Sequence, residues 1–136
     1  MFLALNREDP GQKPVDASHM RRTLSVLREA PSRGRVVVLD VDDHPGGYAL
    51  LIPFWSNELG GNCCTVDELY VAEAHRSQGH AARLFGALAA GSSLWPDECV
   101  ALCLEVSPKN ERALALYRRL GFVGENLTLR RPSRSG

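Results

Sequence analysis

The chain has 136 residues, of which 44% are hydrophobic and 24% are charged, and this composition is typical of one soluble globular domain with a single core. Sixteen basic residues balance sixteen acidic ones, so no global positive field favours nucleic acid or anionic lipid as a partner. The N-terminus lacks a basic segment followed by a long apolar run, and no apolar stretch is long enough to span a bilayer. We therefore expect no membrane association and a cytoplasmic location.

Cysteine usage gives no sign of a metal or redox motif. The four cysteines are Cys63, Cys64, Cys99 and Cys103, and no pair has C-x-x-C spacing. That spacing is typical of zinc knuckles and redox motifs. Free cysteine is also among the most buried residue types. The sequence therefore predicts reduced thiols in the core and no metal cofactor.

The first half of the chain reads as one helix followed by three strands. Apolar residues recur with helical spacing over residues 16–29, and a proline and a glycine follow. Two runs rich in strand formers, residues 36–41 and 48–55, flank a predicted turn at 42–47. A third strand is predicted over 63–71. These elements indicate a β-hairpin extended by an antiparallel neighbour.

The second half alternates helices with strands. Helical spacing resumes from Ala81 and ends at Gly91, and a short apolar run at 100–106 predicts a central strand buried on both faces. A second helix follows Asn110, which is a good N-cap, and ends at Gly121. A final strand pair is predicted around Phe122-Val123 and Leu127 to Leu129. The chain thus predicts one α/β domain over residues 1–136, with a mixed, mostly antiparallel sheet and helices on both faces.

The corner between the third strand and the next helix has features of an anion site. The strand ending at Val71 leads into a loop with one glycine, Gly79, and the small residues Ala81 and Ala82 follow it. A helix N-terminus offers unpaired N–H donors and a partial positive charge, so this corner can receive a diphosphate. Arg76 adds a cation that can face a phosphate or brace the loop.

Three segments in this order resemble the GNAT superfamily of acyl-CoA-dependent N-acyltransferases. The loop matches the family pattern Gln/Arg-x-x-Gly-x-Gly/Ala, the strand before it looks like the family's fourth strand, and the last helix is similar to its closing motif. Together they cover roughly residues 48–129. The matching residues are Leu69-Tyr70-Val71, Arg76-x-x-Gly79-x-Ala81 and Asn110-x-x-Ala113-x-x-x-Tyr117-x-x-x-Gly121-Phe122.

The resemblance implies acetyl-CoA as the cosubstrate. In this family the strand ending at Val71 would splay from the strand at 100–106, and the pantetheine arm would bind in the cleft between them. Loop amides would take the pyrophosphate, and Asn110 would contact the cofactor from the other side. The cofactor-binding residues so implied are Leu69, Tyr70, Val71, Arg76, Ser77, Gln78, Gly79, His80, Ala81, Ala82, Asn110, Ala113 and Tyr117.

The implied reaction is transfer of an acetyl group to a primary amine by direct attack in a ternary complex. A backbone N–H near Val71 would stabilise the developing oxyanion. Tyr117 is the candidate general acid for the leaving thiolate, and either Asp67 or Glu68 is the candidate base, directly or through water. Strand alternation directs only one of these two towards the cleft. Histone-type members carry their base where this chain has Thr65.

The amine acceptor is open at this point. Residues 66–71 look most like the polyamine N-acetyltransferases, in which an acidic residue matching Asp67 has been suggested to act through water. The region before the first hairpin is shorter than in most members, so we expect an open acceptor side. Either a homodimer partner completes that side, or the acceptor is large, such as a protein amine.

Two other functions compete with the enzyme. One is a catalytically inactive member that binds acyl-CoA as a sensor or serves as an interaction module. The other is a small scaffold held together by exposed sheet edges. Tyr48, Phe54 and Trp55 lie on one predicted strand and would either feed the core or form an aromatic contact surface.

Overall fold

The computed structural model describes Met1, Ala4 and residues 16–124 and 128–133. The chain falls into two compact units, Met1–Val106 and Ser107–Gly136. Among the described residues, no helix is long and apolar enough to cross a membrane. The first unit contains α1 (Ala17–Glu29), β1 (Arg35–Val41), β2 (His44–Ser56), β3 (Gly61–Val71), α2 (His80–Ala89) and β4 (Ala101–Leu104), and the second contains α3 (Glu111–Arg119).

Helix α1 forms where the sequence predicts it. Asp16 is its N-cap, and the carboxylate accepts a hydrogen bond of 2.8 Å from the backbone N–H of Ser18. This bond satisfies one of the N–H groups that have no partner inside the helix. Pro31 follows at the start of a short 3₁₀ turn, which prevents the helix from continuing.

The sheet has four strands in the order β1-β2-β3-β4. Strands β1, β2 and β3 are antiparallel neighbours, and β4 runs parallel to β3. The predicted hairpin and the mostly antiparallel mixed sheet are confirmed. This part of the molecule sets the position of the candidate site, because β3 leads directly into the loop before α2.

The predicted central strand at 100–106 is wrong in its position and length. Strand β4 covers only Ala101–Leu104, its residues are half-buried, and it lies at the edge of the described sheet. The final strand pair that would have flanked β4 is not formed at residues 122–124 or 128–129, and Leu127 lies outside the described residues. Without that neighbour, β4 is covered less than a central strand would be.

The turn between β1 and β2 is tighter than the sequence predicts. Only Asp42 and Asp43 turn the chain, with φ values of 51° and 64°, and β2 already begins at His44. Aspartate tolerates this left-handed conformation better than most residues. Gly47 serves strand packing instead, because a Cβ there would lie 2.3 Å from the carbonyl oxygen of Tyr70.

Most of the buried apolar residues lie on β2, β3 and α2. Of the aromatic residues on β2, Tyr48 is buried, whereas Phe54 and Trp55 are exposed. Helix α2 begins at His80, one residue before the prediction. The buried apolar residues are Val37, Tyr48, Ala49, Leu50, Leu51, Cys63, Cys64, Val66, Tyr70, Ala81, Leu84, Phe85, Leu88 and Trp95.

The four cysteines are free. Cys63 and Cys64 are buried, as predicted, and Cys99 and Cys103 are half-buried. Burial raises the pKa of the Cys64 thiol to about 12. This thiol is therefore protonated near neutral pH and does not offer a nucleophile.

The second unit is built around α3. Asn110 caps this helix as predicted, and its side chain accepts a hydrogen bond of 3.2 Å from the backbone N–H of Ala113. Gly121, with φ of 92°, follows the end of the helix. The ring of Tyr117 packs edge-on against Phe122, with 6.0 Å between the ring centroids.

Candidate functional site

Strand β3 is paired with β4 along its first part only. Its first part, Cys63 to Val66, pairs with Ala101–Leu104 of β4. Beyond Val66, no strand among the described residues pairs with that edge. Residues 67–71 therefore present backbone N–H and C=O groups along an open edge, which can add a ligand of extended shape. The candidates Leu69, Tyr70 and Val71 lie in this part.

A β-bulge marks the change. Glu68 lies opposite Leu50, but Val66 lies opposite the next residue of β2, so Asp67 is the extra residue. A bulge resets the alternation of side chains along a strand. As a result, Glu68 and Tyr70 share a face with their neighbours on β2, while Val66 lies on the other face.

The structure distinguishes the two acidic candidates. Asp67 is exposed, whereas Glu68 is half-buried and its carboxylate Oε2 accepts a 2.5 Å hydrogen bond from the hydroxyl of Tyr48. Burial raises the pKa of the Glu68 carboxyl, the charge of Asp67 adds to this, and the Tyr48 hydrogen bond opposes it. A carboxyl with a raised pKa is better suited to accept a proton near neutral pH than one fully in water.

Arg76 ties the loop to the open end of β3. Its Nε donates a hydrogen bond of 2.8 Å to the carbonyl oxygen of Val71. Its guanidinium also lies 5.8 Å from the centre of the Tyr70 ring, which is cation–π geometry. Of the two roles that the sequence allows for Arg76, these contacts support the brace.

The loop then turns through two left-handed residues into α2. Ser77 has φ of 61° and Gly79 has φ of 80°. A Cβ at Gly79 would meet only the Arg83 guanidinium, at 3.4 Å, so the space around this glycine is open. Glycine adopts this conformation at little cost and lets a ligand approach the backbone.

The N-terminus of α2 has features with which a helix can receive an anion. Gly79 is the N-cap, and the first helical hydrogen bond joins the Arg83 N–H to the Gly79 carbonyl at 3.0 Å. Within the described part of the chain, no side chain caps this helix, and its first turn holds no acidic residue. The N–H groups of His80, Ala81 and Ala82 precede that first bond and are available to a ligand.

Arg83 also lies at this corner, although it is not among the site residues that the sequence predicts. Its guanidinium donates to the Gln78 carbonyl at 3.1 Å and lies 2.7 Å from Nδ1 of His80. The spacing of three residues from His80 on one helix was a signal that could have predicted it. Arg83 adds positive charge beside the loop.

The described contacts join β2, the open part of β3 and the loop within the first unit. Asn110, Ala113 and Tyr117 lie in the second unit, at the start of α3 and along it. The Asn110 oxygen is occupied by the capping bond to Ala113. Among the described residues, no group of three or more His, Cys, Asp and Glu side chains could hold a metal ion.

Comparisons with solved structures agree with this architecture. A possible acetyltransferase from Clostridium difficile 630 superposes with a TM-score of 0.75 at 20% identity, covering 98% of this chain and 86% of the other. The ribosomal-protein-alanine N-acetyltransferase of Brucella melitensis biovar Abortus 2308 gives 0.69 at 18% identity, with 95% and 87% covered. The aminoglycoside N-acetyltransferase AAC(6')-Iy, solved in complex with CoA, gives 0.66 at 17% identity, with 87% and 90% covered.

Sequence comparison identifies the family directly. No curated protein matches the chain. The model of the Acetyltransferase (GNAT) family matches residues 2–122, which cover nearly all of the first unit and part of the second. The chain therefore belongs to the GNAT family of acetyltransferases.

Proposed function

We propose that this protein is an N-acetyltransferase that moves the acetyl group of acetyl-CoA to a primary amine. The observation that carries the proposal is the continuous path from the open edge of β3 to the uncapped N-terminus of α2. An extended, hydrogen-bonding arm that ends in a diphosphate matches this path, and the pantetheine and pyrophosphate of CoA have that chemistry.

The first unit would hold the cofactor mainly through its backbone. Leu69 and Val71 would pair with the pantetheine arm, and the amides from Gln78 to Ala82 would take the pyrophosphate. The open space around Gly79 and the small side chains that follow it fit this assignment. Arg76 would hold the loop in place through its bond to the Val71 carbonyl.

Acetyl-CoA supplies an activated acetyl group, whose carbonyl carbon gains a bond to the amine nitrogen as its bond to sulfur breaks. The acceptor enters as an ammonium ion and must lose a proton before its nitrogen can attack. A second proton leaves the nitrogen as the amide forms. One proton ends on the departing sulfur and the other is released to solvent, so the reaction needs a base on the amine side and an acid on the sulfur side.

Glu68 is our choice for the base. It is half-buried beside Tyr48, and its raised pKa suits proton transfer near neutral pH. Asp67 is exposed at the bulge and would mainly add negative charge that attracts a cationic acceptor. The family resemblance assigns the acid role to Tyr117, and contacts to CoA to Asn110 and Ala113.

A panel of acceptors would test the proposal. Polyamines, aminoglycosides and peptides with a free N-terminus or a lysine should be incubated with acetyl-CoA and the purified protein. Products should be detected by mass spectrometry, because the half-buried free thiols of Cys99 and Cys103 would add background to an assay with thiol reagents. Acetylation of a primary amine, lost in Glu68→Gln, is the expected result. Binding of acetyl-CoA with no turnover of any amine would instead identify a non-catalytic sensor.

The cytoplasmic location and the homodimer stay predictions.

A further inference from the structure

The hydroxyl of Tyr48 has a carboxylate, that of Glu68, as its hydrogen-bond partner. Tyr48 is only 2% exposed, on a strand next to the proposed reaction centre, and its hydroxyl donates to Glu68. Buried tyrosines usually bond to a neutral backbone carbonyl or water, either of which would satisfy the hydroxyl without affecting a carboxylate. Here the bond goes to the candidate base.

The bulge explains how the two groups meet. Tyr48 lies opposite Tyr70, and Glu68 lies opposite Leu50, so the four side chains share one face of the β2–β3 pair. The Tyr48 and Tyr70 ring centroids are 6.4 Å apart. If the pairing of Val66 with Leu51 continued without a bulge, Asp67 would lie opposite Leu50, and Glu68 would lie on the other face from Tyr48. The pairing is therefore a product of the sheet geometry at this point.

We propose that Tyr48 is a positioning residue for catalysis, which fixes the carboxylate of Glu68 and stabilises its ionised form. The proposal rests on the proposed function, because it assigns Tyr48 a role through Glu68. A charge-assisted hydrogen bond favours the carboxylate, whereas burial and the charge of Asp67 oppose it. Tyr48 thus offsets part of the cost of keeping a half-buried base ionised.

Among the described residues, three other charged or titratable groups are placed around this pair by the contacts, namely Asp67, Tyr70 and Arg76. Tyr48 acts on Glu68 from β2, and Asp67 acts on it from β3. Tyr70 lies beside Tyr48 on the same face, with the Arg76 guanidinium over its ring. A change confined to the Tyr48 hydroxyl leaves the other three groups in place, so its effect on Glu68 can be measured separately.

The test compares the wild-type protein with Tyr48→Phe. Loss of the donor should raise the pKa of Glu68 by about one pH unit. Selective ¹³C labelling of glutamate carboxyls would follow this titration by NMR, with the Glu68 signal assigned from its absence in Glu68→Gln. The acidic limb of the kcat/KM profile should move to higher pH by the same amount, so that activity on that limb falls about tenfold while the plateau changes less.

Two controls make the result specific. Tyr70→Phe removes a neighbouring hydroxyl and should leave the Glu68 titration where it is. Replacing Tyr48 with 3-fluorotyrosine, a more acidic donor of nearly the same shape, should shift the titration in the opposite direction to Tyr48→Phe.

An unmoved Glu68 titration in a folded Tyr48→Phe protein would overturn the proposal, as would a moved titration with an unmoved kinetic limb. Full activity in Glu68→Gln would instead overturn the base assignment, and with it the proposed function as written.

Discussion

The two halves of β3 belong to one strand but differ in what surrounds them. Residues 63–66 have a strand on each side, and Cys63, Cys64 and Val66 are buried. Among the described strands, residues 67–71 have only β2 as a neighbour, and they carry an exposed Asp67 and a half-buried Glu68. The first half is paired and buried, and we propose that the second half supplies hydrogen-bonding groups and a carboxyl to the reaction.

The bulge at Asp67 separates the paired half of β3 from its open half. The bulge at Asp67 ends the region in which both edges of β3 are paired, and it directs Glu68 to the face of Tyr48. Bulges are common beside active sites because they redirect a side chain and end strand pairing in one step. Substitutions in the two halves should therefore have different consequences.

The largest expected effect is on activity in the open half. Glu68→Gln should lower kcat/KM by about 10³-fold, because Gln cannot accept the acceptor's proton.

The same variant should also affect stability. Burial raises the pKa of Glu68 in the folded protein above its pKa in the unfolded chain. The stability that Glu68 contributes is therefore present below the unfolded pKa, and it is lost as the pH rises through the folded pKa. Near neutral pH the variant should unfold at the same temperature as wild type or higher. A Glu68→Gln variant that is fully active but less stable than wild type would contradict the assignment of catalysis to residues 67–71 and of stability to residues 63–66.

The paired half should show the opposite pattern. Leu51 lies opposite Val66 and is fully buried. Leu51→Ala should lower the free energy of unfolding by about 3 kcal/mol through lost burial and a cavity. Urea unfolding would measure this, and acetyl-CoA affinity at a temperature where the variant is folded should be close to that of wild type. A loss of acetyl-CoA affinity in Leu51→Ala without a loss of stability would contradict this division between the two halves of β3.

A substitution at Tyr117 tests whether a residue of the second unit acts as the general acid. Tyr117→Phe keeps the ring that packs on Phe122 but removes the hydroxyl. Turnover should slow by about a hundredfold with acetyl-CoA affinity nearly intact, because the thiolate would lose its proton donor. Single-turnover kinetics would measure the chemical step. Unchanged turnover would remove the acid role of Tyr117.

The loop beyond the open half should respond in cofactor affinity. Gly79→Val should weaken acetyl-CoA binding about tenfold or more, because valine disfavours φ of 80° and fills the open space beside the amides. Gly86→Ala is a matched control on the same helix, where a Cβ meets nothing within 4 Å. It should leave binding unchanged and add up to roughly 1 kcal/mol of stability. Equal affinities in the two variants would contradict the loop assignment.

Local signals predicted much of this fold and of the backbone geometry of the loop at Gly79. The bounds of α1 followed from the helical spacing of apolar residues and from the proline after them, and the corner at Gly79 followed from a strand, a glycine and small residues. These features depend on neighbours in sequence. The family motif then supplied roles that the local chemistry alone leaves open.

Features that depend on pairing between distant residues were not predicted. Nothing near Asp67 marks it as a bulge, because the extra residue is defined only by its register against β2. The bond from Tyr48 to Glu68 follows from that register. The position of β4 at the edge of the described sheet was also missed, since an apolar run of this length fits a central or an edge strand equally well.

The central claim is that the open edge of β3 and the loop at Gly79 together bind acetyl-CoA. Isothermal titration of the wild-type protein with acetyl-CoA and with S-acetylpantetheine, which lacks the pyrophosphate, tests it most directly. We predict micromolar binding of acetyl-CoA and binding of S-acetylpantetheine that is weaker by at least about tenfold, since the helix N-terminus would have no anion to bind. No binding of acetyl-CoA to the folded protein, or equal binding of both compounds, would contradict the account.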